Sequence, residues 1–235
     1  MCGRYALSRP ANRYADFFDA DLSVSESLES NYNVAPTDPV YAVFEGDEQR
    51  QMGVMRWGLV PFWSDSPKDG ARRINARAET VATKPMFRDA FEKRRCLLPA
   101  DGFYEWITND DGSKQPFYIF ASNHAPLALA GIWERWKDPA GNPLITCSVI
   151  TTNANRTLEP IHNRMPVVVG SGDWEYWLDP TNDDRSQLTS LLRPAADDLL
   201  ETVKVAKTVN NVRNKGPECL LAPEDVPPEA RLFDV

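Results

Sequence analysis

The strand-forming stretches of this chain come in pairs separated by polar turns, and that pattern constrains its fold more than any other feature. Residues 40–44 and 51–57 are two β-rich runs around the turn Glu45-Gly46-Asp47-Glu48. Residues 127–136 and 144–152 repeat the arrangement around Asp138-Pro139-Ala140-Gly141-Asn142. Between them, 96–107 reads as strand, turn and strand. After Asn109-Asp110-Asp111-Gly112, 117–121 is a further strand, and 202–209 returns late as another. Helices fall at the margins. One has Ser8 as cap, Pro10 in its first turn and Tyr14, Phe17 and Phe18 on its apolar face. Others are expected over 86–95, just after Thr151-Thr152-Asn153-Ala154-Asn155, and over 174–178 and 185–192, the last two forming an outer layer on the sheet. Residues 19–31, acidic and serine-rich, read as a solvated loop or short helix. No Pro/Gly/Ser-rich linker divides the 235 residues, so one domain is expected over 1–235, ending in a loose, proline-rich acidic tail at about 222–235. The expected class is α+β.

Composition narrows the function. A hydrophobic content of 42% with seven Trp supports a substantial core. The formal net charge of -8 excludes a protein coated in basic surface, so any nucleic-acid site must be a local patch. The four cysteines, Cys2, Cys96, Cys147 and Cys219, show no C-x-x-C spacing, and with only His124 and His162 beside them no zinc cluster is expected. Reduced thiols in the cytosol are the simpler reading. There is no signal segment and no apolar run long enough to span a bilayer. The expectation is a cytoplasmic protein without cofactor, metal or membrane attachment.

The start, Met1-Cys2-Gly3-Arg4, carries the most specific chemistry. Cys2 is small enough for Met1 to be removed, which leaves a cysteine with a free α-amine. Such a 1,2-aminothiol can trap an aldehyde as a five-membered thiazolidine. Because thiol and amine are already joined, the ring-closing attack is intramolecular, an advantage of up to ~7–11 kcal/mol. Further along, Asn75 and Arg77 lie two residues apart and share a side in extended backbone, an amide beside a guanidinium, as a sugar-phosphate contact needs; a solvated charged face gives the same pattern. In 102–107 the strand alternation puts Glu105 between Phe103 and Ile107 on one face. Desolvation there raises a carboxylate's pKa and suits it to general acid–base work, the alternative being a structural partner for a buried arginine. His162 sits on a short loop between Pro160 and Pro166, a place for a catalytic or a structural histidine. The aromatic run from Trp57 to Trp63 is either core plus turn or a surface on which a base stacks. Residues 210–217 form a polar, basic loop.

Taken together, Met-Cys-Gly-Arg-Tyr at the start, Trp57-Gly58-Leu59-Val60-Pro61, Asn75-Ala76-Arg77-Ala78-Glu79, Gly102-Phe103-Tyr104-Glu105-Trp106 and Ile161-His162-Asn163-Arg164-Met165-Pro166 resemble, in order, the motifs of the SOS response-associated peptidase (SRAP) family of abasic-site processing proteins. The resemblance runs over nearly the whole chain. The aromatics Tyr104 and Trp106 vary from those that relatives often carry. What it implies is a compact domain with strands wrapped into a mainly antiparallel, barrel-like sheet, and a cleft for single-stranded DNA that links covalently to an abasic site. It further implies that Cys2 is the nucleophile and Glu105 the general acid/base. His162 would hold or protonate the sugar oxygen, and Asn75 would hydrogen-bond the adduct. Arg4 and Arg77 would hold flanking phosphates, with Trp57, Trp106 and Met86 completing the DNA-binding set. The partner is a single strand bearing an abasic site, met by a monomer that is nucleoid-associated when bound. A lyase side reaction is compatible with the Schiff-base step. The alternatives are a cysteine peptidase with an N-terminal nucleophile and a non-catalytic nucleic-acid-binding module.

Overall fold

The structure, a computed structural model, describes residues 2–22, 27–46 and 48–224. Met1 and most of the predicted tail lie outside the described residues, as do 23–26 of the predicted acidic loop. In chain order the strands are β1 (Tyr5–Leu7), β2 (Asp21–Leu22), β3 (Asn31–Val34), β4 (Pro39–Glu45), β5 (Arg50–Trp57), β6 (Asn75–Arg77), β7 (Arg95–Ala100), β8 (Gly102–Thr108), β9 (Lys114–Ala121), β10 (Leu127–Lys137), β11 (Pro143–Asn153), β12 (Arg164–Pro166) and β13 (Leu200–Lys204). Five short helices accompany them: α1 (Ala11–Phe18), α2 (Ala78–Val81), α3 (Arg88–Lys93), α4 (Trp174–Leu178) and α5 (Arg185–Ser190). The fold is α+β, as expected.

Strands β11, β10, β7, β4 and β5 pair in that order, and a parallel contact between β5 and β11 (Arg56 beside Thr146, Trp57 beside Cys147) closes them into a five-stranded barrel. Closure removes the free edges that such a sheet would otherwise expose. The two predicted hairpins supply four of the five staves: β4 with β5, and β10 with β11. At the closure Gly58 has φ +128°, a backbone conformation that side chains rarely adopt, and a Cβ there would lie 2.7 Å from the Gly70 carbonyl oxygen. A second sheet of five strands, ordered β13-β9-β8-β1-β3, lies outside the barrel ring. The N-terminal strand β1 is therefore interior to a sheet, paired with β8 on one side and β3 on the other.

Three local expectations are corrected. Ser8 does not cap α1; its N–H and hydroxyl both donate to Asp101 Oδ2 at 2.7 Å, and Pro10 stands at the cap without a side-chain bond. The helix expected to end at Arg95 ends at Lys93, because Arg95 already begins β7. Its buried guanidinium donates to five carbonyls, of Phe91, Glu92, Trp177, Asp179 and Asn182, and so ties α3 and the end of α4 to the barrel. Such saturation removes most of the cost of burying a charge. After Asn153 the chain turns without forming the short helix expected there.

Candidate active site

The pairing of β1 fixes where Cys2 goes. Tyr5 lies opposite Phe103, and the Tyr104 N–H donates to the Arg4 carbonyl at 3.0 Å, so residues before Arg4 run alongside Glu105 and Trp106. Cys2 is 0% exposed and Glu105 4%. Burial pushes the Cys2 thiol well up from its ordinary value, and the nearby Glu105 charge pushes it the same way. From the barrel side, β6 runs parallel to β11, with Asn75 beside Val149, and Asn75 Nδ2 donates to the Cys2 carbonyl at 2.7 Å. Asn75 Oδ1 is buried and makes no hydrogen bond among the described residues. Cys2, Glu105 and Asn75, from three distant parts of the chain, thus meet between the two sheets. Arg77 follows on the same side of β6 and is exposed.

His162 arrives on the loop after β11. Its N–H donates to the Leu158 carbonyl at 2.9 Å, and its Nδ1 accepts the Arg164 N–H at 2.9 Å. The same Nδ1 lies 3.2 Å from the Arg164 carbonyl, so the backbone of Arg164 fixes the orientation of the ring. Arg164 in turn grips both carboxylate oxygens of Glu79 and the carbonyl of Thr151, the residue registered with Arg77. Hydrogen bonding to Arg164 is the main cause that holds the Glu79 carboxyl below the usual range. The His162 loop is therefore fastened to the β6–α2 segment that carries Asn75 and Arg77.

The proposed DNA-contacting side chains divide. Trp57 is fully buried and offers no ring face to a base, which corrects that expectation. Its ring packs edge-on against Tyr5 at 5.1 Å, and its Nε1 donates to the Ile74 carbonyl at 2.9 Å. Trp57 thus braces the strand that bears Cys2 and the residue before Asn75. The exposed aromatics of the same run are Phe62 (59%) and Trp63 (53%). Trp106 is half-buried: Arg4 stands 5.9 Å over its ring and its Nε1 donates to Asn210 Oδ1 at 2.7 Å. Arg4 is held inward through Nη1, which donates to Asn33 Oδ1 at 2.8 Å and the Val209 carbonyl at 3.0 Å. Met86 is half-buried and packs against the main core.

A cleft of about 940 Å³ lies elsewhere, where six carboxylates, of Asp16, Asp19, Asp21, Glu45, Glu175 and Asp179, outnumber the one cation of the lining, Arg50. Its charge repels a polyanion, so it is no part of a nucleic-acid path. Among the described residues no group of His, Cys, Asp and Glu side chains could hold a metal ion, and no helix is long and apolar enough to cross a membrane. All four cysteines are free and buried. Two residues that organise the site had no sequence signal. Asn33 sits in a stretch that reads as a polar turn, and Asp101 in a β-turn of ordinary composition. Both matter through bonds to residues far away in sequence, which no local pattern records.

The family model described as SOS response associated peptidase (SRAP) matches residues 1–212. The chain belongs to this family. It is 39% identical over 221 residues to the abasic site processing protein YoqW of Bacillus subtilis, covering 94% of this chain and 99% of that protein. To the abasic site processing protein YedK of Escherichia coli it is 30% identical over 230 residues, covering 94% and 99%. The chicken protein HMCES (Gallus gallus), also named an abasic site processing protein, is 34% identical over 208 residues, covering 78% of this chain and 61% of that protein. Among solved structures, a protein from Bacteroides thetaiotaomicron superimposes with a TM-score of 0.84 at 28% identity, over 94% of this chain and 99% of that one. The SRAP assignment rests on the family model and on these curated relatives.

Proposed function

We propose that this protein processes abasic sites in single-stranded DNA by capturing the lesion covalently on Cys2. The observation that carries the proposal is the 2.7 Å bond from Asn75 to the Cys2 carbonyl, which builds the second residue of the chain into a buried site beside Glu105. An ordinary N-terminus is frayed; this one is held as a reactive group must be. Removal of Met1 frees the Cys2 amine. The amine adds to the C1 aldehyde of the opened sugar, and loss of water gives an imine. The Cys2 sulfur then adds to the imine carbon, and the thiol proton passes to the nitrogen. The balance is aldehyde plus aminothiol giving thiazolidine plus one water. In this reading Glu105 moves the amine and thiol protons, His162 holds or protonates a sugar oxygen, and Asn75 Oδ1 accepts from the ring nitrogen. Arg77 is the exposed cation for a flanking phosphate. As the imine also permits β-elimination, ring closure is what protects the strand.

A peptidase mechanism is less well supported. An acyl-transfer cysteine needs a depressed thiol pKa, whereas burial and the Glu105 charge push the Cys2 thiol upward. In the thiazolidine route the amine attacks first, and a protonated thiol is no obstacle. The test is incubation with an abasic and an intact oligonucleotide of the same sequence, followed by a denaturing gel. A shifted band with the abasic strand alone, absent in Cys2→Ala, is expected. A band of normal yield in Cys2→Ala removes Cys2 as nucleophile, and processing of a peptide substrate without any DNA adduct favours the peptidase.

A further inference from the structure

The polar, basic stretch near the C-terminus has no role in the mechanism above, yet it is fastened directly to the site. The Val209 carbonyl accepts from Arg4, two residues from Cys2, and Asn210 accepts from Trp106, next to Glu105. Beneath it, Val205, Val209 and Cys219 pack with Ala6, Tyr104 and Tyr118 in a small hydrophobic cluster of their own. The link that unites these parts is Asn33 on β3, which is completely buried. Its Nδ2 faces the carbonyls of Val209, Asn211 and Asn214 at 3.1, 3.1 and 3.0 Å. Its Oδ1 accepts from Arg4 Nη1, and its own carbonyl accepts from Lys215 Nζ at 2.8 Å. Lys215 closes the arrangement with an ion pair to Asp38 at 2.7 Å.

We propose that residues 207–215 form one wall of the strand-binding cleft, that Asn33 is the positioning residue that builds this wall onto Arg4, and that Arg213 is the phosphate contact it contributes. This rests on the reading of the protein as one that binds single-stranded DNA. A buried amide is costly unless paired, and every side-chain bond of Asn33 goes either to this turn or to Arg4. The result is a rigid turn whose outer residues, Val212 and Arg213, are both exposed, a cation beside apolar surface. With Nη1 drawn inward, the Arg4 guanidinium has a fixed orientation, so little side-chain entropy is lost when its remaining edge meets an anion. Phosphate contact from such a wall is independent of the lesion and of the chemistry at Cys2.

The experiment is fluorescence anisotropy of the full chain with a labelled, lesion-free single strand, repeated across salt. Each phosphate contact on a single strand contributes about 0.7 to the slope of log affinity against log salt. Arg213→Ala is expected to weaken binding several-fold and to reduce the slope by about 0.7, while Arg213→Lys, which keeps the charge, retains the slope. Asn33→Ala is expected to reduce it by about 1.4, because Arg4 and Arg213 both lose their placement. A variant that is merely less stable would keep the wild-type slope. Where Asn33→Ala fails to fold, the exposed Arg213→Ala still decides the matter. Wild-type affinity and slope in Arg213→Ala overturn the wall, as does a wild-type protein that binds no single strand. If wild type binds the strand but gives no denaturant-stable product on an abasic one, the covalent reading fails and the wall stands. If cross-linking is normal and Arg213→Ala binds as wild type does, the reverse holds.

Discussion

Asn75→Ala removes the bond that holds Cys2 in place, together with the Oδ1 acceptor proposed for the adduct nitrogen. The substitution deletes a 2.7 Å bond to the Cys2 carbonyl, in a residue that has no solvent exposure. A buried acceptor left without its donor costs about 1–3 kcal/mol, against only about 0.5–1.5 for a bond that water can replace. The first range applies, because water does not reach Cys2 without displacing the strand end. At 1.4 kcal/mol per tenfold, that corresponds to roughly 5- to 150-fold in the ratio of seated to unseated Cys2, which is the upper limit for the loss of rate. Borne by the whole fold, the same energy would lower Tm by about 2–12 °C in a chain of this size. It is not borne that way, because Cys2 lies beyond the paired residues of β1 and its end can lift away while Tyr5 to Leu7 stay in the sheet. The expected result is a single-turnover cross-linking rate lowered by up to about 5- to 150-fold with a much smaller change in Tm. Asn75→Asp sharpens the test. It places a carboxylate oxygen where an amide donated to a carbonyl, so its rate should rise as pH falls and the acid regains a proton to donate. A rate within twofold of wild type in Asn75→Ala, with no pH-dependent recovery in Asn75→Asp, would refute the positioning role.

Other outcomes follow from the same geometry. Glu105→Gln keeps size and removes the titrating group, so adduct formation should slow by ~10²–10⁴-fold, the usual range for general acid–base catalysis, with strand affinity little changed; a wild-type rate and pH profile would return the proton transfer to His162 or water. Trp57→Phe removes the Nε1 bond to Ile74 and should lower both Tm and cross-linking rate while leaving the salt dependence of strand binding intact, since the ring is buried; a reduced salt slope would mean that Trp57 touches the strand after all. Thermal melts should be flat between neutral pH and about pH 8 and fall steeply above about pH 9. Burial raises the thiols of Cys2, Cys96 and Cys147 and the phenols of Tyr5, Tyr14 and Tyr104, and it pushes Cys219 up to about 12. These groups keep their protons in the folded chain where the unfolded chain loses them, so each one lowers stability by up to about 1.4 kcal/mol per pH unit above its unfolded pKa. A Tm unchanged at pH 10.5 would contradict that burial.

The strand pairs were legible because a strand of a hairpin needs only its neighbour in sequence: the two barrel hairpins and the 96–107 segment lie within a residue or two of where alternation and turn chemistry put them. Barrel closure was not legible from alternation. It depends on a two-residue parallel contact between β5 and β11, some ninety positions apart, and on the positive φ of Gly58, which a glycine in an aromatic run does not disclose. For the site, Glu105 is buried, but so are Phe103 and Tyr104 on both faces of the strand, so burial and not alternation sets it inward; Asn75 is half-buried and Arg77 exposed. Trp57 went wrong because an aromatic run has two environments in it. Its first member ends a barrel stave and faces the core, while Phe62 and Trp63 lie beyond Pro61, where no stave continues. Ser8 went wrong because the helix starts at Ala11 with Pro10 at its cap, and the Ser8 hydroxyl donates instead to Asp101, which gathers Ser8, Arg9 and Tyr14 together.

That last contact bears on how the start of the chain is held in place. Strand β1 is only three residues long, far too few pairings to hold a terminus by themselves. Its position is fixed instead from both flanks. On the downstream side, Asp101 accepts from Ser8, Arg9 and Tyr14, and its own N–H donates to the Ala6 carbonyl. On the upstream side, Asn33 and Val209 hold Arg4, and Asn75 holds Cys2. None of these anchors lies in the strand, and they come from β3, β6, the β7–β8 turn and the C-terminal turn. Seating Cys2 and Arg4 therefore depends on contacts with segments as far along the chain as Val209.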